Sequence, residues 1–99
     1  ECVLVDDMID TAGTITEAIK VLTNAGAKKV IVAATHGILS DPAVRRLTES
    51  GATEVVITDT LPVSAEKRFP SLTILSIAPL LARAIMEVFE DGSVTSLFT

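Results

Sequence analysis

Short apolar runs alternate along this chain with longer stretches in which apolar residues recur every three or four positions. The short runs are typical of buried strands, and the longer stretches predict amphipathic helices. Strands that alternate with helices indicate βαβ units, so the pattern predicts an α/β fold, a parallel sheet with flanking helices. The four apolar runs lie at residues 2–6, 30–35, 55–58 and 72–77.

The helices are marked by their apolar spacing and by signals at their ends. The first is predicted over about residues 14–25, where Gly26 ends it. In the Asp-Pro pair at 41–42, the aspartate is predicted as the N-cap of the second helix and the proline as its first residue, and this helix continues to Gly51. The third helix begins near Pro79. The apolar face of the first helix carries Ile15, Ala18, Ile19 and Leu22, and the third helix is expected to bury Leu81, Ile85, Val88 and Phe89.

The turn between the first strand and the first helix has the features of a phosphate site. An apolar run at residues 3–5 predicts a strand covered on both faces, and ligands of open α/β sheets bind at the carboxyl ends of such strands. Thr14 and Glu17 have the spacing of a capping box, with Thr14 as the N-cap. Free N–H groups and the positive end of the helix dipole then point into residues 10–14, here called the phosphate loop.

The acidic residues of this turn limit what the site can hold. An unpaired carboxylate repels a phosphate at contact distance, so Asp6 and Asp7 are expected to face something else. Sugar hydroxyls, which donate hydrogen bonds to carboxylates, and Mg²⁺, which binds one or two carboxylates, are both suitable partners. Asp10 either faces the ligand or caps the turn locally. The turn therefore predicts a sugar-phosphate site, and the alternative is an ordinary acidic strand-to-helix turn.

The composition narrows the class of protein. The chain has 99 residues, enough for one domain or part of one, and a hydrophobic fraction of 48%. Its net charge of −5 argues against binding of nucleic acid, which requires a basic surface. Cys2 is the only cysteine, so no disulfide framework forms and a cytoplasmic location is expected. No apolar run of the sequence approaches about 18 residues, so we expect no membrane partner.

Further polar positions are predicted near the same edge of the sheet. Right-handed crossovers would bring loops 36–41 and 59–65 close to the phosphate loop. His36 is the only histidine and so a candidate catalytic residue, but the expected role is a loop histidine bound to a backbone carbonyl or a helix cap. The Asp-Thr pair at 59–60 could touch a ligand. The arginine pair at 45–46 is expected on a solvated face.

The residues of the first turn resemble a known motif. Residues 4–14 contain the end of an apolar strand, two aspartates, two apolar residues and then Asp-Thr-Ala-Gly-Thr. This segment resembles the phosphoribosyl-pyrophosphate (PRPP) motif of the type I phosphoribosyltransferase fold. The segments at 33–40, 56–62 and 93–98 resemble the ribose-phosphate pyrophosphokinase (PRPP synthetase) family. The resemblance covers essentially the whole chain and implies a phosphoribosyltransferase-like fold, of which this chain is the second half.

The resemblance implies an enzyme, a ribose-phosphate diphosphokinase. Such an enzyme transfers the diphosphoryl group of Mg-ATP to the 1-hydroxyl of ribose 5-phosphate and yields PRPP and AMP. Mg²⁺ is the implied cofactor, ribose 5-phosphate and ATP are the implied ligands, and the implied assembly is a homo-oligomer, a homohexamer in this family. The implied ribose 5-phosphate site comprises Asp6, Asp7, Asp10, Thr11, Ala12, Gly13 and Thr14, and an implied regulatory anion site includes Ser93, Val94, Thr95 and Ser96.

Other working parts of the family have no counterpart in residues 1–99. These are most of the ATP site, the catalytic loop and the metal-binding histidine, so we assign no catalytic residue and no metal ligand to this chain. The chain lacks an initial Met and enters at once into a functional strand, so we interpret it as the C-terminal portion of a longer polypeptide. Two alternatives remain: a PRPP-using phosphoribosyltransferase, which the segment after Thr35 disfavours, and a non-catalytic regulatory subunit associated with PRPP synthetase.

Overall fold

The computed structural model describes residues 1–89. Its strands are β1 (Cys2–Ile9), β2 (Val30–Gly37), β3 (Glu54–Thr58) and β4 (Leu72–Leu75). Its helices are α1 (Gly13–Asn24), α2 (Ala43–Glu49) and α3 (Ala78–Phe89), and a short 3-10 turn spans Ala65–Lys67. All four strands are parallel and lie in the order β1-β2-β3-β4. The predicted fold class, an α/β parallel sheet with flanking helices, is confirmed.

One face of the sheet carries the hydrophobic core. Val32 of β2 lies beside Val55 of β3 in register, and both residues are fully buried. α1 packs on this face through Ile15 and Ile19, as its apolar spacing predicts, and α2 adds Leu47. Burial of each such aliphatic side chain contributes about 1.5 to 3 kcal/mol relative to its exposure. α1 and α2 are therefore fixed on the sheet, and the loop that enters α1 is fixed with them.

β1 is longer than its apolar run predicts. The strand continues past residue 6 to Ile9, which lies beside Gly37 of β2 and is 1% exposed. Asp6 and Asp7 consequently lie within the strand rather than after it. Asp6 pairs with Ala34 and Met8 pairs with His36 of β2, so both carboxylates project from a part of β1 that is held in the sheet.

The opposite face of the sheet is open within residues 1–89. Successive side chains of a strand point to opposite faces, so Leu4 packs against the core while Val3 and Val5 point the other way. Val3 is 57% exposed and Val5 is 79% exposed. The prediction that β1 is covered on both faces is therefore wrong for the described residues.

α3 is also uncovered. None of its residues is buried, and the four positions predicted to enter the core are exposed: Leu81, Ile85, Val88 and Phe89. The apolar spacing correctly predicts a helix. Spacing alone does not show whether the surface that covers this helix belongs to residues 1–89. Among the helices of residues 1–89, α3 included, none combines the length and the apolar content needed to cross a membrane.

Candidate functional site

The loop between β1 and α1 has a tightly turned backbone. Ala12, the residue before the helix, is left-handed with φ 65° and ψ 16°, which is uncommon for a residue that has a Cβ atom. The Thr16 hydroxyl donates to the Ala12 carbonyl at 2.7 Å, and the Gly13 carbonyl is a second acceptor 3.0 Å away. The Thr16 N–H also donates to the Ala12 carbonyl, at 3.0 Å. The first turn of α1 therefore holds the end of the phosphate loop.

The predicted capping box is wrong. α1 begins at Gly13 with Ala12 in the N-cap position, and no side chain caps it. Thr14 therefore lies inside the first turn, where its hydroxyl cannot take the place of an N-cap. Glu17, the other member of the predicted box, instead has its carboxylate 3.7 Å from the Lys20 ammonium, and both of these side chains are exposed. The prediction fails because the left-handed Ala12 is the N-cap, so the helix begins two residues earlier than it would with Thr14 as the N-cap.

Within residues 1–89, the N–H groups at the end of the loop and the start of α1 are unpaired. An α-helix leaves its first N–H groups without intrahelical acceptors, and those from Thr11 to Ile15 have no other acceptor within residues 1–89. Residues 11–15 line a concave cavity of about 180 Å³. The positive end of the α1 dipole lies at the same place. The loop can therefore receive a small anion without the help of a basic side chain.

Most of the predicted ligand residues surround this cavity. Asp7 is the exception, because neighbouring side chains of a strand diverge and only its neighbour Asp6 turns to the cavity. Binding of a ligand by these residues stays a prediction. The predicted residues that line the cavity are Asp6, Asp10, Thr11, Ala12, Gly13 and Thr14.

The two aspartates of β1 interact with each other. The Asp7 N–H donates to Asp6 Oδ1 at 2.7 Å. A side-chain hydrogen bond with Asp6 lowers the pKa of Asp7 from its ordinary value, and smaller contributions come from the Met8 N–H and from the charge of His36. Both aspartates are exposed. Asp7 is therefore ionised throughout the neutral range, and both side chains are accessible to a hydroxyl group or a cation.

The end of β2 and the loop after β3 meet beside this edge of the sheet. His36 lies beside Met8 in register, and its Nδ1 atom is 2.7 Å from the Thr60 hydroxyl. Its ring thus pairs with a hydroxyl, whereas a backbone carbonyl or a helix cap was the expected partner. The Asp59 carboxylate accepts the Ile77 N–H at 2.8 Å, immediately before α3. Asp59 therefore has a structural partner, and ligand contact by the pair at 59–60 stays a prediction.

The acidic side chains do not form a closed metal site in the described part of the chain. Within residues 1–89, no three His, Cys, Asp or Glu side chains are placed to hold a metal ion together. Asp6 and Asp7 can still supply one or two oxygens to a Mg²⁺ ion whose other ligands are phosphate oxygens and water. The predicted regulatory positions lie outside the described residues: Ser93, Val94, Thr95 and Ser96.

Arg46 is a contact of the loop that the sequence pattern missed. Arg45 and Arg46 are both exposed, as expected for a solvated face, and the Arg46 Nη1 atom also donates to the Thr11 carbonyl at 3.2 Å. No local signal in the sequence indicates this hydrogen bond, because it depends on the packing of α2 beside α1. α2 therefore reaches the phosphate loop through one long side chain.

Comparisons with known proteins point to one family. The family model described as the phosphoribosyl synthetase-associated domain matches residues 2–99. The ribose-phosphate pyrophosphokinase of Mycobacterium tuberculosis is 65% identical over 97 residues, which make up 98% of this chain and 30% of that protein. The ribose-phosphate pyrophosphokinase of Bifidobacterium longum is 67% identical over 98 residues, which make up 99% of this chain and 29% of that protein. This chain therefore spans about 30% of the length of the curated relatives that it matches.

A solved structure shares the fold. The crystal structure of phosphoribosylpyrophosphate synthetase from Mycobacterium smegmatis matches this chain with a TM-score of 0.85 and 64% sequence identity. The match covers 92% of this chain and 30% of that one. At 64% identity the two chains are similar in sequence as well as in fold.

Proposed function

Since the chain belongs to the family of the phosphoribosyl synthetase-associated domain, we propose that it is part of a ribose-phosphate diphosphokinase. The full-length enzyme would transfer the diphosphoryl group of ATP to the 1-hydroxyl of ribose 5-phosphate and yield PRPP and AMP. One observation carries the proposal: the cavity before α1 combines unpaired N–H groups with the carboxylate of Asp6. The names of the relatives from M. tuberculosis and B. longum support the same reaction.

In this proposal the phosphate loop holds the 5-phosphate of the sugar. The N–H groups of residues 11–15 donate to the phosphate oxygens, and the hydroxyls of Thr11 and Thr14 add further donors. Asp10 lines the same cavity. Asp6 accepts hydrogen bonds from the ribose hydroxyls, since an unpaired carboxylate would repel the phosphate. The segment thus contributes to catalysis by positioning, because it orients the 1-hydroxyl for its attack on ATP.

Mg²⁺ is the proposed cofactor. The exposed carboxylate of Asp6, or that of Asp7, fits an ion that takes one or two carboxylates and completes its shell with phosphate oxygens and water. When bound, the ion would offset the negative charge of the phosphates. The residues described here enclose no such ion by themselves, so most of its ligands would come from ATP and from residues outside this chain.

The remaining parts of the proposed enzyme lie outside the chain. The chain would be the C-terminal portion of a phosphoribosyltransferase-like domain, and residues that precede it would supply the catalytic loop and most of the ATP site. The full-length protein would be a cytoplasmic homo-oligomer. Residues 93–96 would belong to a regulatory anion site. These statements rest on the sequence resemblance alone; the chain matches 30% of the M. tuberculosis protein and 29% of the B. longum protein, which agrees with its being part of a longer protein.

Calorimetric titration of the full-length protein with ribose 5-phosphate tests the proposed site. Thr14→Val removes one hydroxyl from the cavity at nearly constant volume, and we expect weaker binding. Gly13→Val adds a branched side chain to the loop, and we expect no binding. Thr23→Val is the matched control, because Thr23 is exposed at the other end of α1. Wild-type affinity in both loop variants would contradict the assignment of the phosphate to this cavity.

A further inference from the structure

One side chain of α2 contacts the backbone of the phosphate loop. Arg46 Nη1 donates to the Thr11 carbonyl at 3.2 Å. Ala43 and Leu47 anchor α2 in the core, so the guanidinium extends from a fixed helix. Arg45 and Arg46 are both exposed, but within residues 1–89 only Arg46 makes a hydrogen bond to the loop. Two adjacent arginines of the same helix therefore differ in one respect: only Arg46 reaches the loop.

Gly13 leaves room for this guanidinium. A Cβ atom at Gly13 would lie 3.2 Å from Arg46 Nη1 and 3.9 Å from Thr11 Oγ1. Gly13 is the first residue of α1, and a helical backbone by itself does not require glycine. A side chain at this position would therefore require the Arg46 guanidinium to shift by a few tenths of an ångström.

The contact orients one peptide group of the loop. In a trans peptide the C=O and N–H bonds point in opposite directions. Because the Thr11 carbonyl is directed at Arg46, the Ala12 N–H is directed away from the guanidinium. This N–H has no acceptor within residues 1–89. Ala12 is left-handed, a conformation that costs free energy for alanine and persists only where its surroundings hold it.

We infer that Arg46 is a positioning residue of the phosphate loop. It holds the peptide between Thr11 and Ala12 so that the Ala12 N–H is presented to the bound phosphate. Arg46 acts through the loop and does not touch the sugar. The inference rests on the proposed function and adds to it a residue from α2.

Steady-state kinetics of the full-length enzyme test this role. Arg46→Gln should raise the KM for ribose 5-phosphate about tenfold, the effect of losing one hydrogen bond from a charged donor. The KM for ATP and the midpoint of thermal unfolding should stay near their wild-type values, and kcat should change less than the KM. Arg46→Lys can still donate to the Thr11 carbonyl and should restore most of the affinity. Arg45→Gln is the matched control and should have no effect.

A double-mutant cycle with Gly13→Ala provides an independent test. The added Cβ atom would lie 3.2 Å from Arg46 Nη1 and would push the guanidinium by a few tenths of an ångström from its contact with the Thr11 carbonyl. The effect of Gly13→Ala on the KM for ribose 5-phosphate should therefore be much smaller when residue 46 is already changed to glutamine. Additive effects would show that the two residues act independently and would overturn the inference.

The outcomes distinguish this inference from the proposed function. An unchanged KM for ribose 5-phosphate in Arg46→Gln overturns the positioning role, and so do equal losses for both substrates. In either case the proposed function stands if Thr14→Val still weakens binding of ribose 5-phosphate. A wild-type enzyme that does not bind ribose 5-phosphate would overturn both.

Discussion

Replacement of Asp6 by asparagine removes the negative charge of this side chain and keeps its shape. The amide oxygen of asparagine can still accept the Asp7 N–H, which lies 2.7 Å from Asp6 Oδ1. Asp6 is exposed, so the substitution should change the free energy of unfolding by no more than about 0.5 kcal/mol. The variant loses only the negative charge that we propose is offered to the ribose hydroxyls.

The expected loss of activity follows from the strength of hydrogen bonds to a charge. A bond to a charged group contributes about 1.5 to 3 kcal/mol, against about 0.5 to 1.5 kcal/mol for a neutral pair. Loss of the charge therefore weakens each bond by about 1 to 1.5 kcal/mol. This corresponds to a fall of roughly tenfold in kcat/KM for each ribose hydroxyl that Asp6 binds.

The assay is steady-state kinetics of the full-length enzyme with ribose 5-phosphate varied, together with thermal unfolding of each variant. Glu66→Gln is the matched control, because Glu66 is an exposed carboxylate of the 3-10 turn that does not line the loop cavity. An unchanged kcat/KM in Asp6→Asn would refute the reasoning. An equal fall in kcat/KM in Glu66→Gln would also refute the reasoning, since it would show an effect of the overall charge of the protein.

Two further predictions concern packing. Gly37→Ala should destabilise the fold by about 1 to 3 kcal/mol in urea unfolding, because its Cβ atom would overlap Ile57 Cδ1 and lie 3.2 Å from Ile57 Cγ2 in the core. An unchanged midpoint would show that the isoleucine moves aside freely. Residues 1–99 expressed alone should self-associate, bind a hydrophobic dye and be inactive with ATP and ribose 5-phosphate, because Val5 is 79% and Phe89 is 82% exposed. Cooperative unfolding of a monomer, together with measurable activity, would contradict that expectation.

The sheet was predictable because its strands are local apolar runs. The second run was expected at residues 30–35, and the structure has β2 at Val30–Gly37. In α1 the apolar spacing correctly places Ile15 and Ile19 in the core. The residues of the phosphate loop are contiguous in sequence, so their common position at one cavity needs no long-range information.

The wrong predictions involve surfaces and contacts that the local sequence does not determine. The apolar character of Val5 indicates that something covers it in a stable assembly, but it does not indicate what, and residues 1–89 leave it exposed. Thr14 has the residue type of an N-cap, yet the left-handed backbone at Ala12 decides where the helix begins. Arg46 is exposed as expected, but its hydrogen bond to the Thr11 carbonyl was not predicted, because Arg46 has the same charge and lies in the same helix as Arg45 and only tertiary packing distinguishes them.

The parallel order of the strands also determines how the site can be assembled during folding. The turn from Ala12 to Thr16 is closed by hydrogen bonds within one helical turn, so it can form as fast as α1 itself. The pairing of β1 with β2, which places Met8 beside His36, instead joins residues on either side of a whole helix. Such pairing must first overcome the entropy of closing that long loop. The turn that ends the phosphate loop is therefore kinetically local, whereas the sheet edge that carries Asp6 is completed only when the distant strands have met.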